Sequence, residues 1–195
     1  MLETQKVDLL LQGLSILKGK SFSDIRGTAA IFFEESLKSI FKNVEIETFD
    51  LRLILSENNI GVVRGIHFGA NELNQTKVIQ CVEGKFKDYI FDFRPNSKTF
   101  LKFNEIMLDS NKPTTVVISP GLGHAFQSLE NNSKMLYLIN GKYDSGKEIT
   151  INSLGNEINI DWTYKPILSE NDRLAPSLSS IFSAGILSQF VNREV

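Results

Sequence analysis

"KVIQCVEGKFKDYIFDFRPNSKTFLKFNEIML", residues 77–108, reads as three short strands in succession. The runs "KVIQCVEG", "FKDYIFDFR" and "TFLKFNEIML" are rich in β-branched and aromatic residues, and Glu83-Gly84 and Pro95-Asn96-Ser97 interrupt them. Such residues suit a pleated, half-buried surface, and the glycine and proline supply turn backbone. The pattern extends outward on both sides. Upstream, "VEIETFDLRLIL" (44–55) places Phe49, Leu51, Leu53 and Leu55 on one face of a period-two segment. Downstream follow "TTVVISPG" and "KMLYLINGKY", with Asn111-Lys112-Pro113, Pro120-Gly121 and Asn131-Asn132-Ser133 as breaks. Strands at about ten-residue spacing with turn signals between them predict an all-β sandwich or barrel.

Helix is scarce. "FFEESLKSIF" (32–41) carries a helical stripe of Phe33, Leu37, Ile40 and Phe41, and "LSSIFSAGILSQF" (178–190) another of Leu178, Ile181, Phe182 and Phe190, weakened at Gly185. No repeat, linker or low-complexity segment divides the chain, so 195 residues are read as one domain, 1–195, with an amphipathic C-terminal tail over 177–195. Hydrophobic content of 42% and charged content of 23% are those of a globular protein, and a net charge of −2 gives no footprint for nucleic acid. No apolar run approaches the roughly 20 residues that span a bilayer. The opening "MLETQKVDLLLQG" lacks the basic start and long apolar core of a secretory leader, and the single Cys81 has no internal disulfide partner. These features predict a cytoplasmic protein that engages neither nucleic acid nor membrane.

The chemistry-bearing residues are few. "VVRGIHFGA" (62–70) holds one of two histidines, and in a regular strand Arg64 and His67 would point to opposite faces. With only His67 and His124, and no His-x-His pair, a metal-binding jelly roll is poorly served. No Gly-x-Ser-x-Gly turn, P-loop or dinucleotide fingerprint appears. What remains is a strand-borne polar set, Arg64, His67, Lys77, Asp88, His124, Tyr137 and Tyr143, whose inward members would line one cavity if the strands close into a barrel.

Six stretches resemble one family in its own order. "FSDIRG" (22–27) is similar to an early Phe-x-Asp-x-Arg-Gly, and "GVVRGIHF" (61–68) to Gly-Val-x-Arg-Gly-x-His-Phe/Tyr. Residues 77–103 resemble the following strand-turn-strand block with its Arg-x-x-Ser-x-Thr-Phe turn. "ISPGLGHAFQSL" (118–129) resembles Pro-Pro-Gly-x-x-His-Gly-Phe, and "LYLINGKY" (136–143) keeps two tyrosines six apart. "IDWTYKPILSENDRLAP" (160–176) resembles the closing Trp and Pro-Ile-Leu-Ser-x-x-Asp-x-x-x-Pro. The family is the dTDP-4-dehydrorhamnose 3,5-epimerases, RmlC-like jelly-roll cupins that epimerise nucleotide-linked 4-keto-6-deoxy sugars, and the resemblance covers about residues 22–176.

The resemblance implies roles. His67 would be the general base, Asp172 the acid that orients it, Tyr137 the general acid on the opposite face of the sugar, and Lys77 the support for charge on the C4 oxygen. Arg64 would bind diphosphate, and Arg26, Asp88, His124 and Tyr143 would hold the sugar and nucleotide. Gly65 would permit a close approach of the chain or a bulge that turns Arg64 and His67 to one cavity. The chemistry asks for these types. A hydrogen α to a ketone is far less acidic than an imidazolium of pKa about 6.5, so the enolate needs a donor where its charge develops. Inversion needs a second proton-transfer group, and a phenol of pKa about 10 keeps its proton until a carbanion takes it. The 4-keto group is the electron sink, so the implied reaction uses no metal or organic cofactor, and the implied assembly is a homodimer.

Departures lie beside the site. The family's Gln-x-Asn and serines are replaced by "RLILSENNIG" (52–61), with Arg52 near the glutamine's place, and "GANELNQT" (69–76) lacks the usual Gln-x-x-Pro. The segment "TAAIFFEESLKSIF" (28–41) is also atypical. The substrate this predicts is a nucleotide-diphospho-4-keto sugar, inverted at C3, C5 or both, of the dTDP-4-dehydro-6-deoxyglucose type. Alternatives are a GDP-linked 4-keto heptose of capsule assembly, a non-catalytic sugar-binding cupin, and a metal-dependent cupin that the histidine count disfavours.

Overall fold

The computed structural model describes residues 2–34, 40, 51–70, 74–140 and 144–190. The alternating runs become strands β1 (Gln5–Lys6), β2 (Leu14–Lys18), β3 (Lys20–Asp24), β4 (Gly27–Ile31), β5 (Leu51–Asn58), β6 (Val63–Gly69), β7 (Lys77–Glu83), β8 (Lys85–Asp92), β9 (Lys102–Asp109), β10 (Thr114–Ile118), β11 (Leu122–Ser128), β12 (Ser133–Asn140) and β13 (Glu148–Thr150). A six-stranded sheet is ordered β1-β9-β8-β11-β6-β13 and a five-stranded sheet β2-β10-β7-β12-β5. All pairs but β1–β9 are antiparallel. The two sheets face each other in a jelly roll. Phe86, Ile90, Leu108, Leu122 and Phe126 of the first pack against Ile79, Cys81, Val116, Ile118 and Met135 of the second.

Register decides which side chains share this interior. In the five-stranded sheet Arg52, Ile139 and Lys77 form one row and Ile54, Tyr137 and Ile79 the next. The intervening rows, with Leu53, Leu138 and Val78 and then Leu55, Leu136 and Gln80, lie on the opposite face, where all of these but Leu55 line an apolar groove with Phe33. Leu51, Leu53 and Leu55 thus share a face, as their spacing predicts, and all three are exposed. Cys81 is buried in the interior, where burial pushes its thiol up to about 12 and leaves it unreactive.

The outer face of the six-stranded sheet is covered by the C-terminal segment. Ile66, Phe68, Tyr89, Phe91 and Phe93 pack against Leu178, Ile181, Leu187 and Phe190, with Phe68 and Phe190 ring centroids 5.7 Å apart. Each such fully buried side chain contributes about 1.5–3 kcal/mol. The tail is therefore packing on the sheet that carries His67. Its helix runs only over Leu178–Ser183, because Gly185 takes φ +69° and ends it; residues Ile186–Phe190 continue as a 3-10 turn. Leu178, Ile181 and Phe190 of the predicted stripe are buried, as is Leu187, whereas Phe182, within the helix, is exposed. Of the other predicted helical stripe, Phe33 and Ile40 pack beside Val78 and Val117, while Leu37 and Phe41 lie outside the described residues, as does Phe49. Among the described residues no helix is long and apolar enough to cross a membrane.

Candidate active site

The strand bearing Arg64 and His67 is not regular. On the neighbouring β11, His67 lies opposite His124 and Arg64 opposite Phe126, so three residues of β6 span what two residues of β11 span. This bulge turns Arg64 and His67 to the same, inward side, while Ile66 and Phe68 keep the outer core. Gly65 makes it feasible: it takes φ +115°, and a Cβ there would run into the His124 carbonyl oxygen and Ala125. The alternation of a regular strand fails here, in keeping with the bulge expected at Gly65, and its failure assembles the site.

His67 is then met by an acid from the end of the chain. Its Nε2 lies 2.5 Å from Asp172 Oδ1. Asp172 sits in the short helix Glu170–Arg173, capped by Ser169, whose hydroxyl both accepts from the Asp172 backbone N–H (3.1 Å) and donates to Oδ2 (2.9 Å). Burial works against the Asp172 charge. Hydrogen bonds from His67 and Ser169 and the nearby charge of Arg64 overcome it and hold the carboxyl below its ordinary value. An ionised Asp172 accepts from Nε2–H, which leaves the Nδ1 lone pair free to take a proton.

The remaining groups come from both walls, Lys77 and Tyr137 from the five-stranded sheet and Arg64, Asp88 and His124 from the sheet of His67. Lys77 of β7 is 7% exposed, and its Nζ donates to the His67 carbonyl at 3.3 Å. Burial lowers its proton affinity, the Glu148 carboxylate opposes that shift, and the Arg52 charge adds to it. Tyr137 of β12 lies edge-on to the His124 ring, 6.4 Å between centroids. Burial pushes its phenol far above the ordinary value, against a hydrogen bond to Ser56 and the Arg64 charge. His124 Nε2 is 2.6 Å from Asp88 Oδ1, both residues buried, and burial raises the Asp88 carboxyl despite His124. Arg64 is steadied by Asn58, its Nε donating to Oδ1 at 2.8 Å.

Seven of the nine sequence-derived positions thus meet in one neighbourhood: Arg64, His67, Lys77, Asp88, His124, Tyr137 and Asp172. Arg26 does not join them within this chain. It stands at the turn of the exposed β3–β4 hairpin, bonded to Asp24. Tyr143 lies outside the described residues. Sequence reading passed over Ser56, Asn58, Glu148 and Ser169, which hold or polarise the others. Only Ser169 carried a signal, as a cap three residues before Asp172. Among the described residues no three His, Cys, Asp or Glu side chains converge as a metal site.

A jelly roll with a carboxylate-oriented histidine on one wall and a lysine and a phenol on the other defines a cupin-type epimerase. The profile of the dTDP-4-dehydrorhamnose 3,5-epimerase family matches residues 8–180. The chain belongs to this family and is an isomerase. It is 32% identical over 172 residues to the dTDP-4-dehydrorhamnose 3,5-epimerase of Mycobacterium tuberculosis, covering 86% of this chain and 84% of that one. Its fold is similar to that of NovW, a 4-keto-6-deoxy sugar epimerase from the novobiocin cluster of Streptomyces spheroides, with TM-score 0.83, 29% identity, and 91% and 89% of the two chains covered. A double mutant of ChmJ, a 3'-monoepimerase from Streptomyces bikiniensis in complex with dTDP, is similar at TM-score 0.82 and 28% identity, with the same coverage.

Proposed function

We propose that the protein epimerises dTDP-4-keto-6-deoxyglucose at C3, with C5 open to the same chemistry, without a cofactor. The observation that carries this is the placement of a base and an acid on facing sheets, His67 on β6 and Tyr137 on β12. His67 Nδ1 removes the hydrogen α to the C4 ketone. The Lys77 ammonium donates to the C4 oxygen as the enolate forms, and Tyr137 returns a proton to the other face of the carbon. Arg64 takes the diphosphate, and the His124–Asp88 pair forms the wall behind the sugar. The relatives' dTDP-linked substrates and the dTDP bound to ChmJ support the nucleotide. The protein acts in the cytoplasm on this reading, in keeping with its lone buried thiol.

The working assembly is a homodimer. Leu53 and Leu55, 69% and 58% exposed, project from the outer face of the five-stranded sheet, whose last strand β5 has an unpaired edge among the described residues. A second copy would cover this apolar face.

The test is incubation with dTDP-4-keto-6-deoxyglucose in deuterated water, read by NMR. Deuterium at C3 with inverted configuration supports the proposal. Absence of exchange contradicts it, and turnover of a GDP-linked 4-keto heptose in its place would move the substrate class.

A further inference from the structure

We infer that Ser56 and Asn58 are positioning residues for Tyr137: a directed hydrogen-bond chain runs from Arg64 through Asn58 and Ser56 to the phenol and stabilises the phenolate left when Tyr137 gives up its proton. This rests on the reading of Tyr137 as the general acid.

The direction of the chain follows from its ends. Arg64 has donors only, so the Asn58 atom it meets at 2.8 Å is the amide oxygen. The Asn58 amide nitrogen must then face the other way. It donates to Ser56 Oγ at 3.1 Å, to the Ser56 carbonyl at 3.3 Å and to the Ser133 carbonyl at 3.2 Å. Asn58 is only 2% exposed, so its orientation is locked by these bonds. A Ser56 hydroxyl that accepts from Asn58 has its own hydrogen free to donate. Register puts Tyr137 beside it: Ser56 pairs with Met135 and Ile54 with Tyr137, which makes Ser56 and Tyr137 diagonal neighbours on one face of the β5–β12 ladder.

The proton accounting requires such a donor. When the C3 carbanion takes the Tyr137 proton, a C–H bond forms, the phenol O–H bond breaks, and its electron pair remains on the phenol oxygen. Tyr137 is partly buried in the interior between the sheets, where desolvation penalises the charged form of its phenol. The Ser56 hydroxyl supplies a hydrogen bond to this charge, itself polarised by Asn58, with the Arg64 cation at the far end. Neither Ser56 nor Asn58 touches the reacting carbon; both act through Tyr137.

The experiment scores deuterium exchange and inversion at C3 separately, in the same sample, for Ser56→Ala, Ser56→Thr, Asn58→Asp and Tyr137→Phe. Exchange needs His67 and Lys77, whereas inversion needs Tyr137. Ser56→Ala should lose inversion by about 10–100-fold, less than the loss of a donor touching the oxyanion itself, while exchange stays within about threefold of the parent. Ser56→Thr, which keeps the hydroxyl, should restore inversion. Asn58→Asp keeps a partner for Arg64 but replaces the donor to Ser56 with an acceptor, and should lose inversion likewise. Adding Ser56→Ala to Tyr137→Phe should cost nothing further. Equal losses of exchange and inversion in Ser56→Ala would report a structural role and overturn the inference. Full inversion in Ser56→Ala beside a defective Tyr137→Phe would also overturn it while leaving the acid in place. Full inversion in both would overturn the reading of Tyr137 as well.

Discussion

The chain has two histidine–carboxylate pairs of nearly equal length, 2.5 Å for His67–Asp172 and 2.6 Å for His124–Asp88, and they behave as opposites. The His67 side chain is 31% exposed, and its acid is held low by Ser169 and neighbouring positive charge. The His124 side chain is 6% exposed and its acid is fully buried, with the carboxyl raised and Oδ2 lacking a hydrogen-bond partner among the described residues. The pairing is the same; the surroundings differ. A base that must release its proton after each turnover needs a path to water and an acid that stays ionised. A wall that must stay put is served by burial.

Breaking each pair should separate activity from stability. His67→Asn should abolish both C3 exchange and inversion, with the circular dichroism spectrum unchanged. Asp172→Asn should follow with a loss on the order of 10³–10⁴, because an amide favours the wrong imidazole tautomer; single-turnover rates check it. On the other pair the large effect should be on the fold. His124→Ala strands the Asp88 carboxyl in the core and should cost about 3–5 kcal/mol in urea unfolding, whereas His67→Ala should cost less, because Ser169 and the Arg64 charge still stabilise Asp172.

Acid titration sharpens the same contrast through opposite signs. Asp172 has a depressed folded value, so its contribution is present above the ordinary carboxylate range and is lost as pH falls through that depressed value. Asp88 has a raised folded value, so its contribution is present at acid pH and is lost as pH rises through that value. Thermal midpoints of Asp172→Asn and Asp88→Asn against the parent, followed from about pH 3 to about pH 7, should therefore diverge in opposite directions. The smallest effect should come from Ser169→Ala. Loss of one hydrogen bond to the Asp172 carboxylate costs about 1.5–3 kcal/mol, about 10- to 150-fold in turnover, with KM little changed.

How much of this the sequence disclosed follows from where each cause lies. The sheets were legible because strand alternation and turn residues are local, and the helical tail was legible at Leu178, Ile181 and Phe190 but not at Phe182, which stays exposed. Arg64 and His67 on one face were not derivable from spacing, since the bulge at Gly65 exists only against β11. Resemblance supplied the roles of Tyr137, Lys77 and Asp172; their meeting depends on register between strands far apart in the chain. Asn58, Ser56 and Glu148 carried no sequence signal, because a buried amide, a strand serine and a strand glutamate look ordinary until their neighbours are known.

Proton removal and proton return from facing sheets are tested most directly by Tyr137→Phe. A phenyl ring fills nearly the same space, Lys77 still supports the enolate, and His67 keeps Asp172 behind it. The base can remove a proton and return deuterium to the same face. NMR of the sugar nucleotide after incubation in deuterated water should show label at C3 with the configuration retained. Inversion of C3 at the parent rate in this variant would contradict the account.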